Sequence, residues 1–523
     1  MGDYGIWAVV PPLVAIILCF VTKRVLVSLF LGIFTGGLII SNGNPLAGMA
    51  YSIDKIIISI KDPWNLKLLL FTFFMGSGIA FIWQLGGSKA LETWAVKKID
   101  SRKKVGIGAW ILGIIVCIND VLNAAVVGNS FRDMSHKFNI SSEKLSYVLD
   151  STAAPISALL ISDWIAFQIG MIQNGIDIAG ITGIGAVQGY LRSIPFNLYS
   201  ILSVLFVGII VITGRDYGPM LKAEIRAIKE GKIHRDGASP MLDVGYELGE
   251  PKDVKPRLGT FFFPLITVVV VSVLGILWTG RSGTGLMNIL ENSDAALALL
   301  WGAFAMTLVG MLIAFLSKIN VEESMDIFLD GFKLMIMTGG ILVMAWSIGN
   351  VTSDMNLSNY LISLVGEDLA LTPLIVVVFL LGMFTAFATG TSWGTMAIMT
   401  PMTIPLVYQI TANPQISVAM AGVVFSGAIF GDHVSPISDT TVASSIFSGA
   451  DHMDHVRTQL PYALTVAAVA LSMYVLYGIF KLSPVILITL GFIILVGLVF
   501  LFSNIHAKNN DFDFKDNKLS IED

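Results

Sequence analysis

The stretch Gly431-Asp-His-Val-Ser-Pro-Ile-Ser-Asp-Thr-Thr441 places two acids, a histidine and four hydroxyl side chains between long apolar runs. A weaker copy occurs earlier, where Asp150-Ser-Thr-Ala-Ala-Pro-Ile-Ser157 repeats the Pro-Ile-Ser order 281 residues before it. A proline inside an apolar helix removes a backbone hydrogen bond and frees carbonyl groups. Both stretches therefore predict a helix that is interrupted at a polar segment.

The composition is that of a membrane protein. Of 523 residues, 55% are hydrophobic and 13% are charged, whereas soluble domains carry roughly 25% charged residues. Apolar stretches of about twenty residues recur up to Ser503, and each could cross the roughly 30 Å hydrocarbon layer of a bilayer as a helix. The sequence predicts an all-α polytopic membrane protein. Its small net charge of −5 implies no nucleic-acid partner.

Basic residues predict the topology. Lys23 and Arg24 mark the first turn as cytoplasmic, so we expect the N-terminus outside and the C-terminus in the cytoplasm of a multi-pass protein of the cell (inner) membrane. The apolar run Val105–Ser130 has basic residues on both sides, so both of its ends should be cytoplasmic. A re-entrant hairpin that turns near Asn119 and Asp120 satisfies this condition.

The two halves also match in sequence. Met75-Gly-Ser-Gly-Ile79 resembles Met337-Thr-Gly-Gly-Ile341, and Ile194-Pro-Phe-Asn-Leu198 resembles Leu460-Pro-Tyr-Ala-Leu464. Because the matched spans run in opposite directions, we expect two inverted-topology repeats, each with a re-entrant hairpin and a Pro-broken helix. Duplicated polar segments at membrane depth are typical of secondary transporters.

The predicted organisation has five parts. These are a first repeat at 1–213 (hairpin about 105–131, broken helix about 145–170), a cytoplasmic linker at 214–257, a second repeat at 258–480 (hairpin about 385–411, broken helix about 415–447), an extra C-terminal span at 481–503 and a polar cytoplasmic tail at 504–523. We expect the tail to be disordered because its composition is polar.

The hairpins supply one set of candidate binding residues, which are Asn119, Asp120 and Asn123 in the first and Thr389, Gly390, Thr391, Ser392, Trp393 and Thr395 in the second. Glycines let the backbone unwind and expose carbonyl groups, and hydroxyl oxygens are ligands suited to a hard cation such as sodium. The alternative is a Gly/Ser-rich face that packs against another membrane helix.

The broken helices supply the other candidates, which are Asp150, Ser151, Thr152, Ser157 and Asp163 in the first and Asp432, His433, Ser435, Ser438, Asp439 and Thr440 in the second. Exchange of sodium for protons needs a carboxylate that binds either ion. Asp432 and Asp439, and then Asp120, are the predicted sodium ligands; a carboxylate that caps a half-helix is the alternative for each. His433 could tune Asp432, shuttle protons or be structural.

The segment Asp451-His-Met-Asp-His455 has histidines three residues apart, a spacing that metal sites use. It precedes Arg457 in a predicted cytoplasmic loop. A capped helix start with solvated charges is the interpretation that we favour here, and no cofactor is predicted from it.

Four segments carry a resemblance to the NhaC family of sodium/proton antiporters: Ser142–Pro155, Thr389–Thr395, Gly431–Thr441 and Asp451–Tyr462. The resemblance implies an ion transporter with paired re-entrant hairpins, sodium as transported or coupling ion and no other cofactor. The chain departs from the family pattern at two places. Asn119 stands where family members often have an acid, and Asp163 stands where they usually have threonine.

We therefore expect a secondary active transporter, not an enzyme, that exchanges sodium for protons by an alternating-access, elevator-like movement in the lipid bilayer. The alternative is sodium- or proton-coupled transport of a small amino acid or carboxylate, which the altered acids favour. A channel would use similar polar linings, but the duplicated broken helices argue against one. An intramembrane enzyme would need an activated nucleophile that the sequence does not show. The sequence leaves an organic substrate and a homodimer open.

Overall fold

The computed structural model describes residues 4–22, 24–95, 99–240, 251–282, 285, 289, 293–357, 360 and 370–514. Within these residues the chain folds into α-helices joined by short connections, and a single isolated β-bridge joins Pro240 to Asp451. The predicted all-α architecture is confirmed.

In the described part of the first half, thirteen α-helices follow a short 3₁₀ turn. They are α1 (Val10–Thr22), α2 (Val25–Ile40), α3 (Pro45–Lys61), α4 (Pro63–Gln84), α5 (Gly87–Ala95), α6 (Arg102–Ile115), α7 (Asp120–Lys137), α8 (Ser142–Thr152), α9 (Ala154–Ser157), α10 (Trp164–Ala179), α11 (Ala186–Ser193), α12 (Leu198–Thr213) and α13 (Gly218–Glu230). Several of these helices begin after a residue type that commonly caps a helix N-terminus. Asn44 and Asp62 cap α3 and α4, each followed by a proline at the first helical position.

The second half follows a similar order. Its helices are α14 (Leu258–Thr279), α15 (Ala295–Leu316), α16 (Val321–Leu334), α17 (Ile336–Asp354), α18 (Leu371–Thr389), α19 (Ser392–Thr411), α20 (Pro414–Ala419), α21 (Ala421–Val434), α22 (Asp439–Ser448), α23 (His452–Phe480) and α24 (Pro484–Asn509). Asp451 caps α23 by accepting the N–H groups of Met453 and Asp454. The capped start favoured for this segment is therefore observed.

Among the described residues, nine helices are long and apolar enough to cross a membrane. The most apolar of them, α24, buries only a minor part of its surface within the protein, as expected of a helix that faces lipid. The helix of α20 and α21, in contrast, is mostly buried although it is of spanning length. The chain is thus a polytopic membrane protein whose spanning helices differ widely in burial. The inverted relation of its halves stays a prediction.

All four predicted interruptions occur. The α6–α7 break lies between Ile115 and Asp120, and the α8–α10 break lies between Thr152 and Trp164 and contains the short α9. The α18–α19 break lies at Gly390 and Thr391, and the α21–α22 break lies between Val434 and Asp439. The first broken helix is longer than predicted. Its outer part, α10, ends at Ala179 and not near 170, because apolar residues continue to be buried along it until Gly180 takes a positive φ of 62°.

The structure adds detail at two predicted segments. The linker at 214–257 contains α13, which is amphipathic and buries Met220, Leu221 and Glu224, and Glu224 pairs with Arg102. The last helix continues to Asn509, six residues beyond the predicted end at 503. Ser503 and Ala507 are buried on one face of this extension, and Arg215 donates to Asn504 Oδ1 at 2.7 Å. The predictions for 241–250, 361–369 and 515–523 lie outside the described residues.

Glycines bring helix backbones into direct contact. Gly76 of α4 faces Gly331 of α16, and a Cβ on Gly331 would clash with the backbone of Gly76 and Ser77. Gly427 and Gly431 face the backbone of α18 in the same way. Such small residues allow the close approach that membrane helices use to pack. The second contact places the polar end of α21 beside the end of α18.

We predict that Gly331→Ala destabilises the protein by about 1–3 kcal/mol, because the added methyl group meets backbone atoms that cannot rotate away. Gly497→Ala on α24 is the matched control, since a Cβ there has nothing within 4 Å. The thermal unfolding midpoint of the detergent-solubilised protein measures both. Equal midpoints for the two variants would contradict the packing described for α4 and α16.

Candidate ion-binding site

The candidate site is built from helix ends. The interruptions leave the last carbonyl groups of α6, α8, α18 and α21 and the first N–H groups of α7, α19 and α22 without partners from their own helix. Gly390 takes a φ of +69° to end α18, and Thr391, in an extended conformation, starts α19 without a side-chain cap. Partial charges of both signs therefore meet in one buried region.

Asp432 connects two of these interruptions. It lies in the last turn of α21 and is 2% exposed. Its Oδ1 accepts a hydrogen bond from Ser438 Oγ at 2.7 Å, and its Oδ2 accepts one from Ser392 Oγ at 2.8 Å. Ser435 Oγ makes a second link by donating to the Phe387 carbonyl at 2.8 Å. The structure thus joins the second predicted hairpin to the second broken helix through the carboxylate of Asp432.

Asp120 and Asp439 occupy equivalent positions, each as the first residue of a helix that follows a break. Asp120 Oδ1 accepts the N–H of Val121 at 2.9 Å, and Asp439 Oδ1 accepts the N–H of Thr440 at 3.0 Å. Asp120 is buried, whereas Asp439 is exposed. Asp120 is close enough to Asp163, Asp439 and Asp432 for their charges to interact. Four of the predicted acids therefore converge.

These neighbouring acids do not form a metal-binding cluster. Among the residues that the structure describes, no three His, Cys, Asp or Glu side chains are grouped so that they could hold a metal ion. Asp432, Asp439 and Asp120 thus do not form one ligand set in this conformation. A sodium ion bound at Asp432 would take its other ligands from nearby neutral oxygens, such as Ser392 Oγ, Ser438 Oγ and Thr440 Oγ1, which lies 2.9 Å from Ser438 Oγ.

Asn119 and Asp163, the two positions at which the chain departs from the family pattern, are hydrogen-bonded to each other. Asn119 Nδ2 donates to Asp163 Oδ2 at 2.7 Å, and its Oδ1 caps α7 by accepting the N–H of Leu122 at 2.8 Å. The backbone N–H of Asp163 also donates to the Ile118 carbonyl at 3.0 Å. The first hairpin is therefore fixed to the first broken helix by this pair.

Asn123 satisfies freed backbone groups. Its Nδ2 lies within hydrogen-bonding distance of the carbonyl oxygens of Gly113, Val116 and Thr152, at 2.6, 2.9 and 2.9 Å. These carbonyls belong to the ends of α6 and α8, so one amide holds both ends together. Asn123 is fully buried. Its amide nitrogen therefore supports the site, and any ligand role of Asn123 stays a prediction.

His433 does not contact the carboxylate of Asp432 through a hydrogen bond, which differs from the predicted tuning role. Hydrogen bonds link its Nε2 to Ser151 Oγ at 2.9 Å and its Nδ1 to Tyr199 OH at 2.7 Å. The ring therefore connects α21 to α8 and α12. Backbone geometry explains the difference, because residues adjacent on a helix point about 100° apart.

Asp150 is fully buried and accepts a hydrogen bond from Gln459 Nε2 at 2.7 Å. The same amide nitrogen contacts the His433 carbonyl, and Gln459 Oε1 lies 2.9 Å from His455 Nε2. Ser445 Oγ then connects His455 to His452, at 2.9 and 3.0 Å. Sequence reasoning did not identify Tyr199, Gln459 or Ser445, since nothing in their local sequence shows that they meet the broken helices.

The remaining predicted residues lie in the same region with more local contacts. Thr152, Thr389 and Thr395 donate to carbonyl groups of their own helical segments, at 2.8, 2.8 and 3.2 Å. Ser157 is fully buried. Trp393 packs against Trp164 and Phe167, with ring centroids 5.0 and 4.4 Å apart. These contacts show packing roles, and any ligand role stays a prediction.

We predict that Gln459→Leu destabilises the protein, because Asp150 Oδ2 and the His433 carbonyl would each lose a donor inside a buried region. Each unpaired acceptor costs roughly 1–3 kcal/mol. Gln415→Leu, at an exposed position of α20, is the matched control. Thermal unfolding in detergent should show a lower midpoint for Gln459→Leu alone, and unchanged midpoints in both variants would refute the role given to Gln459.

Solved structures share the fold. The YdaH transporter of Alcanivorax borkumensis superposes with a TM-score of 0.53 at 12% sequence identity, covering 82% of this chain and 88% of that chain. At this identity the similarity concerns the fold alone.

Two curated relatives and a family model connect the sequence to known proteins. An uncharacterized protein of Haemophilus influenzae is 30% identical over 91% of this chain and 91% of its own length. The malate-2H(+)/Na(+)-lactate antiporter of Bacillus subtilis is 28% identical over 28% of this chain and 29% of its own length. The model of the Na+/H+ antiporter family matches residues 158–479. The chain is a membrane transporter that belongs to the Na+/H+ antiporter family.

Proposed function

We propose that the protein exchanges sodium ions for protons and that Asp432 binds the two ions in turn. One observation carries the proposal. Asp432 is 2% exposed, and the partners of its two carboxylate oxygens are the neutral hydroxyl groups of Ser438 and Ser392. No basic side chain in the described part of the chain forms an ion pair with it.

The physical reason is the cost of an isolated buried charge. A carboxylate that has lost its water and has no cationic partner is strongly destabilised unless it takes up a proton or a cation. Its position in the last turn of α21 adds to this cost, because the C-terminal end of a helix carries a partial negative charge. A proton and a sodium ion would compete for the same carboxylate, and such competition is what antiport requires.

The other converging acids extend the proposal. Asp120 and Asp439 start helices, where the N-terminal partial charge stabilises a carboxylate. Asp439 is exposed and could remain charged while Asp432 alternates, and its charge would favour a cation nearby. Asp163, held by Asn119, adds a further acid from the first half. We propose these side chains, with Ser392, Ser438 and Thr440, as the surroundings of the transported cation.

The packing supports the proposed movement. The interrupted helices α6–α10 and α18–α22 form one bundle, since His433 is hydrogen-bonded to Ser151 and Trp393 packs against Trp164 and Phe167. Helix α15 packs extensively against α14 and against α4, outside that bundle. We propose that the bundle moves against this outer frame in an elevator-like manner, in the inner membrane, with the N-terminus outside. A homodimer would stabilise such a frame.

Sodium-evoked collapse of a proton gradient in everted vesicles or proteoliposomes tests the main proposal. We predict that Asp432→Asn abolishes this response, because the amide neither holds the exchanged proton nor carries a charge for sodium. Asp133→Asn, an exposed position of α7 in the same bundle, is the control and should keep the response. If the unmodified chain gives no sodium-dependent signal, sodium/proton exchange is ruled out.

The serines beside Asp432 allow a separate prediction. Ser438→Ala removes one neutral oxygen from the proposed sodium surroundings but leaves the carboxylate in place. The sodium concentration for half-maximal exchange should rise about tenfold, since a hydrogen bond to a charged group contributes roughly 1.5–3 kcal/mol. Ser472→Ala, at an exposed site on α23, should leave it unchanged. Equal values for both variants would show that Ser438 does not contribute to sodium binding.

A second candidate function is exchange of a small organic solute together with these ions. The matching B. subtilis antiporter is named for malate and lactate as well as protons and sodium. The specific structural observation in its favour is a polar cavity of about 360 Å³, far larger than an ion needs. Uptake of labelled amino acids and carboxylates, with and without sodium, distinguishes this function from simple sodium/proton exchange.

A further inference from the structure

The polar cavity lies apart from Asp432 and its partners, between the start of α4, the outer part of α10 and α17. Its polar lining includes Asp62, Trp64, Asn174, Asp177, Trp346 and Asn350. The helix ends around it are those that the topology predicts to face the outside. Asp62 and Asp177 are exposed, whereas Trp346 is 3% exposed. The cavity therefore has an acidic opening and a floor that includes a buried indole.

Three N–H donors around this cavity lack an acceptor within the described part of the chain. They are Nε1 of Trp64, Nε1 of Trp346 and Nδ2 of Asn174, and all three are buried. Trp346 Nε1 lies beside Gly170, and Asn174 Nδ2 lies beside Gly349; both glycines also line the cavity. Native proteins pair nearly all buried donors, since an unpaired one costs roughly 1–3 kcal/mol. Three such donors at one cavity indicate that a ligand supplies the acceptors.

The charges at the opening restrict that ligand. Asp62 and Asp177 are the ionisable residues of the lining, which contains no lysine or arginine among the described residues. Asp177 Oδ1 accepts from Gln173 Nε2 at 2.7 Å, and Asp62 Oδ1 accepts the N–H groups of Trp64 and Asn65. A simple anion would be repelled by two acids, and a simple cation would leave the indole and amide donors unpaired. A zwitterion satisfies both groups.

The spacing suits a zwitterion whose charges are close together. Asn174 and Asp177 are three residues apart on α10, so they lie on one face and about 4.5 Å apart along the helix axis. An α-amino acid carries its carboxylate and its ammonium group on a single carbon. A cavity of about 360 Å³ is in the range that holds small solutes.

We infer that this cavity binds a free α-amino acid with a small side chain. The carboxylate of the amino acid accepts hydrogen bonds from Trp346 and Asn174, and its ammonium group is held by Asp177 and Asp62 at the opening. Transport of this amino acid rests on the second candidate function. Its binding in the cavity does not rest on that function. It does not depend on exchange at Asp432.

Thermal unfolding of the purified full-length chain tests the inference. A ligand that binds only the folded state raises the unfolding midpoint. Each of the common proteinogenic amino acids is added in turn, with propionate and ethylamine as analogues that lack the ammonium or the carboxylate group. We expect at least one small amino acid to raise the midpoint and neither analogue to do so. If no amino acid raises it, the cavity holds water alone and the inference is overturned.

Two variants locate the binding. The most stabilising amino acid is radiolabelled, and its dissociation constant is measured for each variant. Trp346→Phe keeps an aromatic side chain but replaces the indole by a smaller phenyl ring without an N–H, and Asn174→Asp replaces a donor by an acceptor. Each should weaken binding about tenfold or more. Trp94→Phe, at a half-exposed site on α5, is the control and should bind as the unmodified chain does. Unchanged affinity in both cavity variants would place the amino acid elsewhere and overturn the inference.

Sodium/proton exchange measured on the same preparations separates the two proposals. Trp346→Phe should retain sodium-evoked proton movement without amino acid, because Trp346 does not contact the Asp432 site. Loss of amino-acid binding with retained exchange would support this inference. Amino-acid binding in a chain without any sodium response would leave the cavity assignment intact and refute the exchange proposal.

Discussion

The hydrogen bonds from Ser392 and Ser438 to the buried carboxylate of Asp432 constrain the rest of the structure. They require the end of α21, the start of α22 and the start of α19 to meet at one point. Such a meeting is possible only if α18 and α21 pack with their backbones in contact, which Gly427 and Gly431 permit. One arrangement therefore depends on the glycines, the interruptions and the serines together. In it, Asp432 lies in a low-dielectric region and is held by neutral oxygens.

The interruptions create a second requirement, since backbone groups released from helices need partners where no lipid can provide them. Side-chain amides act as partners for several of these backbone groups. Asn123 holds the carbonyl groups at the ends of α6 and α8, and Gln459 contacts the carbonyl of His433. Both amides are fully buried and neither contacts Asp432. Much of the polar character of the interior thus supports the broken helices.

The sequence predicted the interruptions well because their causes are local. Pro155, Pro436 and Gly390 each limit the backbone at the residue itself, whatever surrounds it. The partners of His433 could not be predicted in this way, since Ser151 and Tyr199 are more than two hundred residues away in the chain. The exposure of Asp439 could not be predicted from the sequence either, because it depends on which neighbouring helix covers the start of α22. Local chemistry thus located the site, and tertiary packing decided which of its residues meet.

The contact between Asn119 and Asp163 changes what the departures from the family pattern imply. As separate positions, a lost acid and a gained acid would indicate an altered binding site. In the structure the two side chains are hydrogen-bonded at 2.7 Å, so the negative charge has moved by about the length of one side chain. The charge near Asp120 is therefore nearly conserved, and the departures do not by themselves favour a different cargo. The case for an organic solute depends instead on the outer cavity, where unpaired donors and two acids lie on helices that do not contribute Asp432.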